Sequence, residues 1–330
     1  GGCIVKFFFF FSINNFKMEM NRCNYFKIFL VISSMVLSNN LFSQYLRDST
    51  DYIGLNDFYP KDDSLVLEKY RKNEKHHLSF DNIFSIPEVM VYFEEKKYPF
   101  AFDFGNNGNI SITTNICDSI KYDITDTTFT YTPDGKIRGR VFSVIIPEFK
   151  TLNQSFVGEV GTLSDWAIYS TNPFNGLIGL KYLDNKCFTL SYPQKILAVS
   201  NHSIAQDLKN RTGDWIQMEY YEMHPFGVHF RGKVNEKEAI IYFDTGKSQT
   251  AINQNLVPSD KILSDKSGAF YNGSVNIEDR SFSIYYPRVK NTNRNVESNI
   301  PVGIEIGSDI LKYFLMTIDR TNNQNLLIIH

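Results

Sequence analysis

VYFEEKKYPFAFDFG, residues 91–105, and KVNEKEAIIYFDTG, residues 233–246, are two versions of one pattern. Each reads as a strand, a charged turn, an apolar strand and then Asp-x-Gly. The turn lysines Lys96 and Lys237 lie the same distance before Asp103 and Asp244. A second pair of blocks follows in the same order: GLIGLKYLDNKCFTLSY at 176–192 and GIEIGSDILKYFLMTIDR at 303–320. Aligning Gly179 with Gly307 puts Leu183 on Leu311, Thr189 on Thr317 and Leu190 on Ile318. Similar hairpins recur in any β protein, so one matched hairpin carries little. Two matched blocks in the same order point to an internal duplication.

The sequence around these blocks has the same texture. From Pro87 onward, short alternating apolar runs are separated by Gly, Asn, Asp and Pro, and long amphipathic helical stretches are scarce. The expectation is an all-β chain of two pseudo-symmetric lobes, 86–200 and 210–330, joined by a polar connection at 201–209, with a cleft between them.

The chemistry-bearing residues sit at the ends of the repeated strands. Asp244-Thr245-Gly246 follows the apolar run Ala239-Ile240-Ile241-Tyr242-Phe243, and Asp103-Phe104-Gly105 follows Phe100-Ala101-Phe102. An Asp in that position stands where the chain leaves the sheet. The following Gly permits a tight turn and a close backbone approach, and Thr245 offers a short hydroxyl to a partner loop.

These residues resemble the two lobes of the pepsin/retropepsin clan of aspartic proteases, as a divergent, bacterial-type member. In that clan each lobe supplies one Asp from an Asp-Thr/Ser-Gly loop and carries an apolar-apolar-Gly strand behind it. The corresponding strands here are Leu177-Ile178-Gly179 and Glu305-Ile306-Gly307. The resemblance spans residues 87–329. It implies that Asp103 and Asp244 are paired catalytic carboxylates, that Phe104, Gly105, Thr245 and Gly246 form the active-site loops, and that Gly179 and Gly307 are structural glycines behind them. Two like charges held close together cannot both ionise, so such a pair splits into one acid and one base. The ionised member activates a water that attacks a peptide carbonyl. No metal, cofactor or covalent intermediate is needed. The implied substrate is an extended peptide or protein, and the implied state is a monomer. A flap is expected at 129–141, FTYTPDGKIRGRV, with Tyr131 as its tyrosine; an ordinary surface hairpin is the alternative.

Three departures from the clan pattern bear on activity. Phe104 replaces the hydroxyl residue that ties the two Asp loops together, so the tie is expected on one side alone. Asn106 and Lys247 follow the two glycines, where pepsins have a small hydroxyl residue; a lysine beside the pair would hold both carboxylates as anions, unless it points to solvent. Glu305 interrupts the second apolar-apolar-Gly strand and needs a partner if it faces inward. The alternative function is therefore a catalytically inactive module of the cell envelope that binds peptide or protein.

The start of the chain reads as a leader rather than as fold. Met20 looks like the true start. Asn21, Arg22 and Lys27 make a basic n-region, residues 28–37 an apolar core, and Ser43 offers a cleavage point before Gln44. The expectation is a signal peptide within 1–43, an exported (periplasmic or secreted) protein and no membrane contact after cleavage; an uncleaved anchor is the alternative. Residues 44–85 read as a polar N-terminal extension. Of the four Cys, Cys117 and Cys187 lie beyond the leader, as a disulfide or as two buried thiols.

The 34 basic and 36 acidic residues leave no basic footprint for nucleic acid and no polybasic segment for anionic lipid. His224 and His229 have a spacing that suits neither a helix face nor a strand face, and they read as surface or packed histidines rather than metal ligands. A G-x-S-x-G nucleophile motif is absent from the sequence.

Overall fold

The computed structural model describes residues 66–80, 86–106, 108–131, 135–165, 174–204, 216–220, 227–265, 268–277, 280–282, 287–290, 300–312, 315–321 and 326–329. All of them lie in one of the chain's two structural units, residues 54–330. The leader and most of the polar extension fall outside the described residues, as do 205–209 of the connection.

The chain is all β, as its short aromatic and β-branched runs require. After β1 (Lys75–His77) come β2 (Glu88–Phe93), β3 (Lys96–Phe102), β4 (Ser111–Thr113), β5 (Asp123–Tyr131), β6 (Ile137–Thr151), β7 (Gln154–Ser164) and β8 (Gly176–Ile178). Strands β2 to β8 form one sheet in the order β2-β3-β8-β4-β7-β6-β5, and a pairing of β2 with β6 closes it into a barrel.

The remaining strands are β9 (Cys187–Ser191), β10 (Ile196–Ser200), β11 (Ile216–Tyr220), β12 (Val228–Val234), β13 (Lys237–Phe243), β14 (Ala251–Asn253), β15 (Ile262–Asp265), β16 (Gly268–Tyr271), β17 (Val275–Ile277), β18 (Arg280–Phe282), β19 (Arg288–Lys290), β20 (Val302–Ile306), β21 (Leu315–Asp319) and β22 (Leu326–Ile329). With β1 they make a second sheet that curls into a half-barrel. Its path begins β1-β10-β9-β21-β22-β11 and continues through β12, β13 and β20 to β14, β19, β16 and β15.

The two repeated hairpins are β2–β3 and β12–β13, each with a two-residue loop. Asn235 and Glu236 sit at φ of +49° and +67°, the left-handed pair that a two-residue turn needs to match the strand twist. Beyond each hairpin the same pairings recur. Strand β3 runs parallel to β8, as β13 does to β20. Strand β4 is antiparallel to β8 and parallel to β7; β14 is antiparallel to β20 and parallel to β19. The inner strands are apolar at consecutive positions. Phe100, Ala101 and Phe102 in β3 and Ala239 to Phe243 in β13 are all buried, which is the burial expected of strands covered on both faces. One buried apolar cluster runs through both sheets, from Leu78 to Ile318.

The extension read as polar contributes to this fold. Val66, Leu67 and Tyr70 pack on Cys187, Ala198, Ile204 and Leu315, and β1 pairs along the edge of β10. Cys117 and Cys187 are separate free thiols, the latter buried beside the Tyr70 hydroxyl. Among the described residues no helix is long and apolar enough to cross a membrane.

Candidate active site

Each repeated strand delivers its Asp in the same way. The Asp103 backbone N–H donates to Ile178 O at 3.0 Å, and that of Asp244 donates to Ile306 O at 2.9 Å. A turn follows in both cases: Asn106 N–H donates to Asp103 O at 3.1 Å, and Lys247 N–H to Asp244 O at 3.2 Å. The glycine in each turn gives its N–H to the carboxylate, Gly105 to Asp103 Oδ1 at 2.7 Å and Gly246 to Asp244 Oδ1 at 3.0 Å. These bonds set the rotamer of each carboxyl group before any ligand arrives.

The two loops then meet. A methyl group at Gly105 would lie 2.9 Å from Asp244 Oδ1 and 3.0 Å from Asp103 Oδ1. One at Gly246 would lie 2.3 Å from Asp103 Oδ1. Each loop's glycine is thus pressed against the other loop's carboxylate, a close approach that only a residue without Cβ permits. Both carboxyl groups thus border the same point between the loops, close enough for each to act on the other. Burial first, then the Asp244 charge, pushes the Asp103 carboxyl up to about 7. Burial also raises Asp244, against the lowering pull of its bond to Asp103 and of Lys247. Two adjacent buried carboxyls, both raised, are expected to titrate as a unit.

Gly179 and Gly307 stand behind the loops. A Cβ on Gly179 would fall 1.9 Å from Asn106 O, and one on Gly307 would fall 2.8 Å from Lys247 O. Behind the second loop, Ser308 Oγ donates to Thr245 O at 3.0 Å and Tyr192 OH lies 3.3 Å from Ser308 Oγ.

The loops are tied from one side. Thr245 is fully buried; its hydroxyl donates to Phe102 O at 2.6 Å and accepts from Phe104 N–H at 2.9 Å. Phe104 offers no return bond. Its ring is fully buried, edge-on to Phe102 at 5.3 Å and to Phe188 at 6.2 Å, so apolar packing holds the first loop where a hydroxyl would otherwise do so. Thr245→Val leaves a buried N–H and a buried C=O without partners and is expected to cost about 2 kcal/mol, whereas Thr245→Ser keeps both bonds. Comparing the two variants by urea denaturation checks this. Phe104→Thr would restore the hydroxyl at the price of a cavity; the expected result is a loss of about 3 kcal/mol or more, read in the same experiment.

No protein-family model matches the chain, and no curated protein matches it.

The two charged departures of the second half are partners. Lys247 Nζ contacts Glu305 Oε2, and Lys290 Nζ lies 3.8 Å from the same oxygen. Glu305 is buried on β20, opposite Tyr242 in the ladder. Lys247 thus ends on Glu305 rather than in solvent, while its charge still pulls Asp244 down. The signal that could have found this is the coincidence of two anomalies of opposite sign in one repeat. His229 is a packed histidine, buried and stacked on Tyr242 with ring centres 4.3 Å apart; His224 lies outside the described residues. Among the described residues no three His, Cys, Asp or Glu side chains gather into a cation site.

Tyr131, the sequence's flap residue, is 60% exposed on β5. It belongs to the β5–β6 hairpin, whose Gly135 sits at φ +82°; residues 132–134 of the turn lie outside the described residues.

Proposed function

We propose that the protein is an aspartic-type endopeptidase of the pepsin/retropepsin kind. The observation that carries this reading is the pair of buried carboxyls, Asp103 and Asp244, brought together by two matching Asp-x-Gly loops; on this reading they share one proton. A buried carboxyl pair of this sort holds a base and an acid side by side at the same pH. The ionised member takes a proton from a water lying against both carboxyls. The resulting hydroxide adds to the peptide carbonyl, and the protonated member donates to the developing oxyanion. Return of a proton to the amine nitrogen releases the two fragments.

The two-lobed, duplicated architecture is part of the proposal. It is supported by the recurring pairings around β3 and β13 and by Thr189, which lies opposite its own repeat equivalent Thr317 with hydroxyls 2.7 Å apart. Two copies meeting about a local dyad pair in that way. On this reading the substrate is an extended peptide or protein bound in a cleft between the lobes, with the β5–β6 hairpin and Tyr131 as the flap. The mature protein is an exported monomer, periplasmic or secreted. Digestion of a mixed peptide library by the full chain at several pH values tests the function. Internal cleavage between apolar residues is expected, strongest below about pH 7. Peptides held but left whole at every pH would favour the binding module instead.

A further inference from the structure

Resting on the reading of Asp103–Asp244 as a proton-sharing pair, we infer that Glu305 is a positioning residue that holds the Lys247 ammonium off Asp244 and so keeps the shared proton in place.

Lys247 is bound to be near the pair by its backbone. Its N–H closes the turn on Asp244 O at 3.2 Å, and its own carbonyl accepts from Ser308 N–H at 2.7 Å. From that anchored position a four-carbon stem can swing its charge several ångströms without moving the loop. Two anionic groups lie in its reach, Glu305 and Asp244. The occupied one is Glu305, whose side chain is only 7% exposed. That carboxylate is fixed by its strand: β20 places it beside Tyr242 of β13 and Ala251 of β14. Buried charge of this kind requires a counter-charge, and Lys290 at 3.8 Å on the neighbouring β19 supplies less than Lys247 does.

Among the described residues, the charged and titratable groups acting on the pair are few. Asp103 comes from the first loop, Lys247 from the second, and Glu305 from β20. Tyr192, just past the end of β9, is neutral: burial first, and then the Asp244, Asp103 and Asp309 carboxylates, raise its phenol against the lowering pull of its Ser308 bond. Lys290 on β19 lies by Glu305, and Arg288 acts on Lys290 from the same strand. An anion at 305 thus does two things. It adds its own negative field at Asp244, and it keeps the Lys247 ammonium, which already pulls Asp244 down from where it sits, from moving closer. If Glu305 is neutralised, the lysine's remaining anionic neighbour is Asp244. An ammonium there stabilises both carboxylates as anions, and the proton needed for acid catalysis is lost at a lower pH.

A double-mutant cycle separates this from simple addition of charges. The readout is the titration of the Asp carboxyl carbons by 13C NMR, which requires no cleavage. Glu305→Gln is expected to lower the upper proton affinity of the pair about tenfold or more. In the Lys247→Ser background the same change is expected to shift it less than about threefold, because no ammonium remains to move. Lys247→Ser alone raises it. The alkaline limb of peptide cleavage should follow the same pattern, moving to lower pH in Glu305→Gln and returning in the double variant. An equal shift from Glu305→Gln with and without Lys247, or no shift in either, overturns the inference. Should Glu305→Gln fold poorly, Glu305→Leu with Lys247→Met removes both charges at matched volume and is expected to titrate like the native pair; a large shift in that variant also overturns it. Absence of cleavage by the native chain with the titration cycle intact would count against the proposed function and leave the role of Glu305 standing.

Discussion

Asp103→Asn and Asp244→Asn are each expected to lower kcat/KM by about 10⁴-fold or more, and the double variant is expected to be no worse than either single one. Neither carboxyl can both take a proton from water and give one to the carbonyl oxygen, so half of the pair is worth nearly as little as none. The loss should come without unfolding. Asn at 103 keeps an oxygen to accept the Gly105 N–H and removes one of two like charges at a buried site. The pH dependence of stability carries the sign. Asp103 is raised from 3.8 to about 7 in the fold, so the folded chain holds this proton more tightly than the unfolded chain does. The site therefore contributes most stability below about pH 4, and that contribution is lost as pH rises through 7. Asp103→Asn removes the dependence, and at pH 8 the variant should be more stable than the native chain by on the order of 2 kcal/mol. Thermal denaturation at pH 5 and pH 8 checks both halves of the statement.

Gly246→Ala is the second change with a large expected effect. Its methyl carbon would lie 2.3 Å from Asp103 Oδ1 and 2.4 Å from Asp103 Cγ. No rotamer of a methyl group relieves such an overlap, so either the carboxyl or the loop must move. Moving the carboxyl carries it away from Asp244; moving the loop strains the Thr245 bonds to Phe102 and Phe104. In both cases the two carboxyls separate, and each should then titrate more nearly as an ordinary carboxylate. Activity is expected to fall at least 100-fold, on the scale of a 1 Å misplacement of reacting groups. Gly105→Ala is milder, because its contacts, also with carboxyl atoms, are longer, 2.9 to 3.0 Å. Comparing kcat/KM of the two variants gives the order, Gly246→Ala below Gly105→Ala.

The parts of this fold that could be read in the sequence are those written in short strings. The hairpin, the apolar strand and the Asp-x-Gly turn are each local, and their repetition 141 positions apart in the chain, Asp103 to Asp244, made the pairing of loops an expectation rather than a guess. The one-sided tie followed from the same strings, since Thr245 has a hydroxyl and Phe104 has none. What replaces the missing bond did not follow: the Phe104 ring packs on Phe188, and a packing partner 84 positions away leaves no trace in local pattern. The Lys247–Glu305 pair was hidden for a related reason. Each residue stood out alone as a departure, but their contact depends on the register of β13 against β20, which a single sequence does not state. Strand β1 was missed because Lys75–His77 lies on a sheet edge; its partly exposed residues lack the apolar alternation that marks a strand covered on one face.

The central claim is that Asp103 and Asp244 share one proton at neutral pH. The most direct test is a carboxyl-carbon NMR titration of the native chain with 13C-labelled aspartate, the two resonances being assigned with the Asp→Asn variants. The account predicts two well-separated steps for the pair, one acidic and one near pH 7, with both resonances moving in each step. Two independent steps near pH 4, one per residue, would contradict it.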